Sequence, residues 1–484
     1  MGVTRLKKTY VVWLVILTMF ISSIGTYVGI KWFENDRTKT SGMKQEQTTP
    51  IQKDFSKIEK AYDLISEGYI EEVKGTELVE GAVEGMLAKL EDPYSVYMNE
   101  EKSNEFNQTL DSSFEGIGAE ISEIDGRIII VSPFKNSPAE KAGLKPNDEI
   151  IAVDGQDVKN HDVYDVTTKV RGKKGTKVEL QIVRDGMDKP ITILVERDEI
   201  PIETVYSKTI NQEEKNIGYI EITSFARETA DDFSEHLRKL EEKKMDALII
   251  DVRGNPGGIL QSVQEIAGEL VTNTKPMFQV EQKNHGVEQY FSKLKKKKPY
   301  PIAVLTNKGS ASASEILAGA LKEVEGYPTI GETTFGKGTV QQQLELGDKS
   351  HIKLTMFKWL TPDGNWIHKK GIKPDIFVVQ PELYNVHPLE INQPLSIDMN
   401  NEQIKNAQQI LESLGFEPGR KDGYFNETTA AAVRTFQEES GLNVTGIIDE
   451  KTALALEKRV IEEKEKIKND RQLQMAIKYF EYRW

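Results

Sequence analysis

The chain contains no cysteine among its 484 residues. That excludes a disulfide framework, a cysteine nucleophile, thiolate zinc ligation and a lipid-modified cysteine anchor. Histidine is scarce as well, with six in the chain. No two are spaced HxH or HxxxH, so a histidine-rich metal centre is not expected. Positive charge is in deficit: 63 Lys and Arg stand against 77 Asp and Glu, a net charge of −14. A general nucleic-acid binder would need a basic face to neutralise phosphates. The 36 Gly and 18 Pro are too few for a collagen-like or linker-dominated chain. What remains is a chain long enough for about three domains. Its 38% hydrophobic residues are enough to form real cores.

The N-terminus sets the compartment. Arg5, Lys7 and Lys8 precede an uncharged apolar run from Tyr10 to Ile30. As a helix, such a run spans about 30 Å of hydrocarbon. Trp13, Tyr27 and Trp32 lie near its ends, where interfacial aromatics sit. The basic flank places the N-terminus in the cytoplasm and the bulk of the chain outside. The expectation is a single-pass cell-membrane anchor over 1–33; a cleaved signal peptide is the alternative.

Residues 34–53 read as a polar tether. Residues 54–112 carry helical periodicity in Leu64, Ile65, Val79, Val83, Met86, Leu87 and Leu90, broken at Glu91-Asp92-Pro93. Residues 113–198 read as short strands around one or two helices, with turns at Asp154-Gly155 and Asp185-Gly186. Residues 199–385 alternate strand and helix; Ala247–Val252 and Ile302–Leu305 read as buried strands of a covered α/β sheet. Residues 386–399 form a linker. Residues 400–460 form a small helical unit with an internal echo, Gly423-Tyr-Phe-Asn426-Glu427-Thr-Thr429 against Gly446-Ile-Ile-Asp449-Glu450-Lys-Thr452. In each copy Gly supplies a turn and Asn or Asp caps the next helix. The tail, 461–484, is charged, helical in pattern and rich in aromatics at its end. The fold class is multidomain α/β (α+β).

Three segments suggest chemistry. After the Ile302 strand runs Asn307-Lys-Gly-Ser310-Ala-Ser312-Ala-Ser314-Glu315, small residues leading into a helix. Alone it reads first as an ordinary serine-rich helix cap, with a nucleophile as the alternative. Phe335-Gly336-Lys337-Gly338-Thr339-Val340-Gln341 is Gly-flanked and then strand-like. Period-2 alternation puts Lys337, Thr339 and Gln341 on one face. A lysine desolvated there can fall in pKa and accept a serine proton. Asp251-Val-Arg253-Gly-Asn255-Pro-Gly257-Gly258 follows a buried strand, and Gly pairs at strand ends let N–H groups converge on an oxyanion. An ordinary turn is the alternative reading.

Together these segments carry a resemblance. Residues 54–385 resemble the carboxy-terminal processing peptidases, or tail-specific proteases, serine endopeptidases with a Ser/Lys dyad and a PDZ domain. The match rests on DPYS at 92–95, GIGAEI at 116–121, DVRGNPGG at 251–258, GSASASEI at 309–316 and TFGKGTVQ at 334–341. The resemblance implies a Clp-protease/crotonase-like core with Ser312 as nucleophile, Lys337 as general base and Gln341 orienting it. It implies an oxyanion hole from the Ala313 amide and that of Gly257 or Gly258. In the PDZ unit, Gly116, Ile117 and Gly118 would form the loop that caps a substrate's C-terminal carboxylate. Arg171 resembles the residue that links a loaded PDZ domain to the active site in some members. Pro146-Asn147-Asp148 replaces the usual Pro-Gly-Asp, and Asn tolerates the positive φ this turn needs. The 400–460 unit resembles the helical peptidoglycan-binding module on DGYFNETTAAAVRTFQ at 422–437.

The expected protein is therefore an anchored extracytoplasmic serine endopeptidase needing no metal or cofactor. Its partners would be peptide C-termini, the membrane, peptidoglycan and a second copy in a homodimer. Two other readings stand beside it. One is an inert PDZ and cell-wall-binding scaffold. The other is a hydrolase in which His351 or His368 serves Ser312.

Overall fold

The computed structural model describes residues 50–483, apart from 112, 125, 135–136, 160, 162, 185–186, 188, 213, 390 and 392. The expected membrane span at 10–30 lies outside the described residues. Among those described, no helix is long and apolar enough to cross a membrane. Two compact units divide at Lys89. The first holds helices Pro50–Gly68 and Gly75–Ala88. The periodicity read at 54–112 does form helices, but Leu64, Ile65, Val79 and Met86 are exposed, and Leu87 is buried. The apolar stripe that signals the helices is thus not a core face of this unit.

The second unit is centred on a six-stranded sheet. Its order is Val205–Gln212, Lys215–Ile222, Ala247–Asp251, Ile302–Thr306, Thr329–Gly331 and Ile376–Phe377. The first pair is antiparallel and the rest are parallel. Strand Ala247–Asp251 is buried throughout, which explains its unbroken apolar run. Alternation still sorts its side chains. Leu248 and Ile250 face one core with helices Thr229–Glu242, Leu260–Leu270 and Ala313–Glu325. Ala247 and Ile249 face another core with Leu473, Ala476, Ile477 and Phe480 of the Arg471–Glu481 helix. The aromatic tail therefore covers the second face of the central sheet.

A second sheet carries Thr339–Glu345 and Val96–Met98 on the long strand His351–Leu360. The 113–198 unit holds an antiparallel sheet in which Ala119–Ile124 is an edge strand next to helix Val163–Val170. Its turn survives the Asn: Asn147 sits at φ 68°, while buried Asp148 takes a forked pair of bonds from Arg184.

The C-terminal module is three helices, Glu402–Ser413, Glu427–Glu439 and Glu450–Lys464, around its own core. The internal echo is physical. Asn426 Oδ1 accepts from Thr429 N at 2.9 Å, and Asp449 Oδ1 from Thr452 N at 2.8 Å. Buried Gln408 and Gln437 repeat the pattern one level deeper, each accepting from a turn glycine, Gly423 and Gly446.

The tail yields a stability prediction. Phe480 is fully buried, while Tyr482 is 79% exposed. Phe480→Ala is expected to cost about 3–5 kcal/mol. Tyr482→Ala should stay within about 0.5 kcal/mol of the parent. Urea denaturation of the two variants beside the parent checks this; equal midpoints would place Phe480 outside the core.

Candidate active site

Ser310, Ser312 and Ser314 look equivalent in sequence and are not equivalent in space. The Ser310 hydroxyl donates to Val252 O at 2.8 Å, and that of Ser314 to Asn255 O at 2.9 Å. Both serines are fully buried and bind the 251–258 turn to the serine segment. Ser312 lies between them, at the N-cap of helix Ala313–Glu325, and faces a cleft of about 350 Å³. Its backbone is at φ 53°, ψ −111°, an unusual conformation for a residue with a side chain. The helix N-terminus behind it favours negative charge.

The reason this strained turn holds is Glu315. Its carboxylate is fully buried and accepts four bonds. Ser312 N reaches Oε2 at 2.9 Å and Lys337 N the same oxygen at 2.8 Å. Thr334 Oγ1 and Gly336 N reach Oε1 at 2.5 and 2.7 Å. Burial raises the Glu315 pKa, and the four donors pull against that rise. One carboxylate thereby fixes the backbone of both Ser312 and Lys337. The sequence reading passed over it, although the Ser-x-x-Glu spacing of a capping box was present.

Lys337 also lines the cleft, as do Gln341, Ala313 and Gly258. Its ammonium lies 4.8 Å from the centre of the Tyr94 ring. Tyr94 is placed by the turn at 92–95. There Tyr94 N and Ser95 Oγ donate to Asp92, and Ser95 Oγ accepts from Thr355 N at 3.0 Å. Tyr94 is a second site residue that the sequence reading left without a role. Burial lowers the Lys337 pKa, and the nearby Lys353 charge lowers it further. Lys353 lines the same cleft, with its ammonium 4.4 Å from the Phe106 ring centre.

Of the expected shared face of Lys337, Thr339 and Gln341, the strand carries the last two, whose side chains are hydrogen-bonded to each other. Lys337 precedes the strand, which begins at Thr339, and a bulge falls between Val340 and Gln341. The pairing passes from Phe357 to Thr355, so the extra residue is Met356 in the partner strand His351–Leu360, and the alternation along Thr339–Glu345 continues. Val340, Gln341 and Gln343 line the cleft. The Gln341 amide donates to Thr339 and Thr355 hydroxyls at 3.2 and 3.0 Å. Among the described residues, no hydrogen bond joins it to Lys337.

The two glycines of the 251–258 turn also separate. The Gly257 amide donates to Asn255 Oδ1 at 2.8 Å and is committed to the turn. A Cβ on Gly257 would fall 2.9 Å from Ser312 Cβ, so only glycine fits beside the serine. Gly258 lines the cleft with Ala313. The remaining wall is apolar: Phe106, Leu110, Ile259, Leu260 and Ile316.

Neither candidate histidine serves Ser312. His351 Nδ1 is 2.9 Å from Ser103 Oγ. His368 stacks on Trp366 with ring centres 5.1 Å apart. Among the described residues, no cluster of three His, Asp or Glu side chains could hold a metal ion.

In the 113–198 unit, Gly116 ends a short strand and Gly118, at φ 72°, begins the turn into the edge strand. Ile117 is buried, and its carbonyl accepts from Ala139 N at 2.8 Å. Arg171 lies beside this loop. Its guanidinium sits 5.2 Å from the Phe114 ring centre, and a Cβ on Gly116 would lie 3.8 Å from Arg171 Cγ.

The Glu315 hub can be tested by stability. Glu315→Gln places an N–H₂ where every neighbour is a donor. A loss of about 2 kcal/mol or more is expected from the unmatched buried groups. A denaturation midpoint unchanged from the parent would show that Glu315 is not holding the two turns.

Comparison with known proteins gives the family of each domain. Residues 216–378 match the model of peptidase family S41, 116–195 a PDZ domain and 400–456 a peptidoglycan binding domain. Residues 19–102 match the N-terminal domain of the activating protease CtpB. The chain is 50% identical to the carboxy-terminal processing protease CtpB of Bacillus subtilis over 463 residues, covering 95% of this chain and 96% of that protein. It is 42% identical to CtpA of the same organism over 424 residues, covering 87% and 89%. The chain with the Ser312 cleft therefore belongs to the S41 serine peptidases, among their carboxy-terminal processing proteases.

Proposed function

We propose that this carboxy-terminal processing protease cleaves through a Ser312–Lys337 dyad, anchored to the outer face of the cytoplasmic membrane by residues 1–33. One observation carries the catalytic assignment: Ser312 and Lys337 line one cleft, and a single buried carboxylate ties both backbones in place. Neutral Lys337 takes the Ser312 proton as Oγ attacks the scissile carbonyl. The Ala313 and Gly258 amides hold the oxyanion. Collapse expels the amine, which takes from Lys337 the proton that Ser312 gave up. Water then hydrolyses the acyl-enzyme. Gln341 orients the base once substrate has displaced its present bonds to Thr339 and Thr355. The apolar wall of Phe106, Leu110 and Ile316 suits an apolar side chain at the scissile bond.

Substrate selection belongs to the PDZ domain. A C-terminal peptide adds to edge strand Ala119–Ile124, with its carboxylate at the Gly116-Ile117-Gly118 loop. Arg171, beside that loop, reports occupancy to the peptidase. The C-terminal module holds the enzyme at peptidoglycan. A homodimer is supported by the exposed stripe Phe55, Ile58, Tyr62, Ile65 and Tyr69, spaced as coiled-coil contacts are.

The direct test compares the parent with Ser312→Ala on an unfolded protein ending in apolar residues, with products read by mass spectrometry. Cleavage by the parent alone is expected. Cleavage by the variant would remove Ser312 as nucleophile. The pH profile tests the base. A lysine must lose its proton to act, so the rate should rise with pH through the lowered Lys337 pKa. Lys353→Met removes a like charge that disfavours protonated Lys337. The Lys337 pKa then rises, and the limb of the kcat profile should move to higher pH. A flat profile, or a shift to lower pH, would contradict a lysine base.

A further inference from the structure

One buried charge cluster plays no part in the chemistry above. Asp251 ends a central strand, and Arg253 opens the turn that leads to Gly257 and Gly258. Arg253 Nε donates to both Asp251 oxygens at 2.9 Å. On its other side, Nη1 and Nη2 donate to the two Asp470 oxygens at 2.9 and 2.8 Å. Nη1 also reaches Gln472 Oε1 at 3.1 Å. The side chains of Arg253 and Asp470 are 14% and 8% exposed. Asp470 is the N-cap of the last helix, accepting from Leu473 N at 2.9 Å. It also takes the Gln380 amide at 2.6 Å. The cluster borders a cavity of about 420 Å³ between the central sheet and the C-terminal helices.

The turn beyond Arg253 has little freedom. Gly254 N donates to Asn307 Oδ1 at 2.8 Å, and Asn255 Nδ2 to Ile222 O at 2.8 Å. The Asn255 carbonyl accepts from Ala311 N at 3.0 Å, next to the nucleophile. The forked geometry of Arg253 suits two carboxylates and resists rotation in a way a single charge pair does not. Removing one carboxylate leaves a buried pair half-compensated.

We propose that Asp470 is a positioning residue of the peptidase. Through Arg253, the final helix braces the turn that presents the oxyanion amide, which makes the C-terminal segment a working part of the catalytic unit. This rests on the assignment of Ser312 and the Gly258 amide made above.

The experiment uses the full chain and Asp470→Asn. Asparagine caps a helix as well as aspartate does, so the helix start is kept, while the charge facing Arg253 is lost and one of the two oxygens that accept from it becomes an N–H₂ donor. We expect kcat to fall about tenfold or more, as misplaced catalytic groups cause. KM should hold within about twofold. A peptide aldehyde forms a tetrahedral adduct with the serine and so reads the oxyanion site. Its affinity should fall by the same factor as kcat, while a product peptide with a free carboxylate binds as before. Arg253→Lys keeps the charge without the fork and should fall between. It also serves if Asp470→Asn does not fold. Folded variants with parental kcat and aldehyde affinity would overturn the proposal. If the aldehyde binds Ser312→Ala as tightly as the parent, the serine assignment fails instead.

Discussion

The Glu315 carboxylate, fully buried, accepts bonds from Ser312, Thr334, Gly336 and Lys337. Serine and lysine arrive on different elements, one at a helix start and one before a strand of the second sheet. The serine turn is strained, since Ser312 has positive φ, while the lysine turn uses Gly336 at φ 91°, which glycine adopts freely. A buried carboxylate with several donors is costly unless every lone pair is used. Satisfying Glu315 therefore demands that the two turns stand in one relation. The cleft geometry follows from that demand.

The central sheet supplies the frame around this hub. Its C-terminal strand ends carry Asp251, the serine segment after Thr306 and the turn after Gly331. That is where ligands collect in parallel α/β sheets. The opposite face of the sheet, which would otherwise be apolar and open, is covered by the last helix of the chain. The end of strand Ala247–Asp251 is thereby connected to the last helix through Arg253, which donates to both Asp251 and Asp470.

Much of this was legible in the residues. Buried strands, capped helices and the doubled Gly-to-Thr echo follow from local rules that need no partner. The positive φ of Asn147 was foreseeable for the same reason. Less was legible where a residue's meaning depends on what lies opposite it. The stripe Leu64, Ile65, Val79 and Met86 marks helices, yet within its own unit it stays exposed. The bulge opposite Val340–Gln341 adds Met356 to the partner strand His351–Leu360, and no local pattern of residues announces it.

The serine repeat shows the division most clearly. By itself the sequence determined the segment, its helix cap, the nearby lysine and the absence of any cysteine or paired-histidine chemistry. Those are matters of residue type and spacing. Only the tertiary structure decided that Ser310 and Ser314 are tied to the 251–258 turn while Ser312 faces the cleft. It decided as well that Gly257's amide is spent on Asn255 while Gly258 lines that cleft. Hydrogen-bond partners distant in sequence make these choices, and no local rule names them.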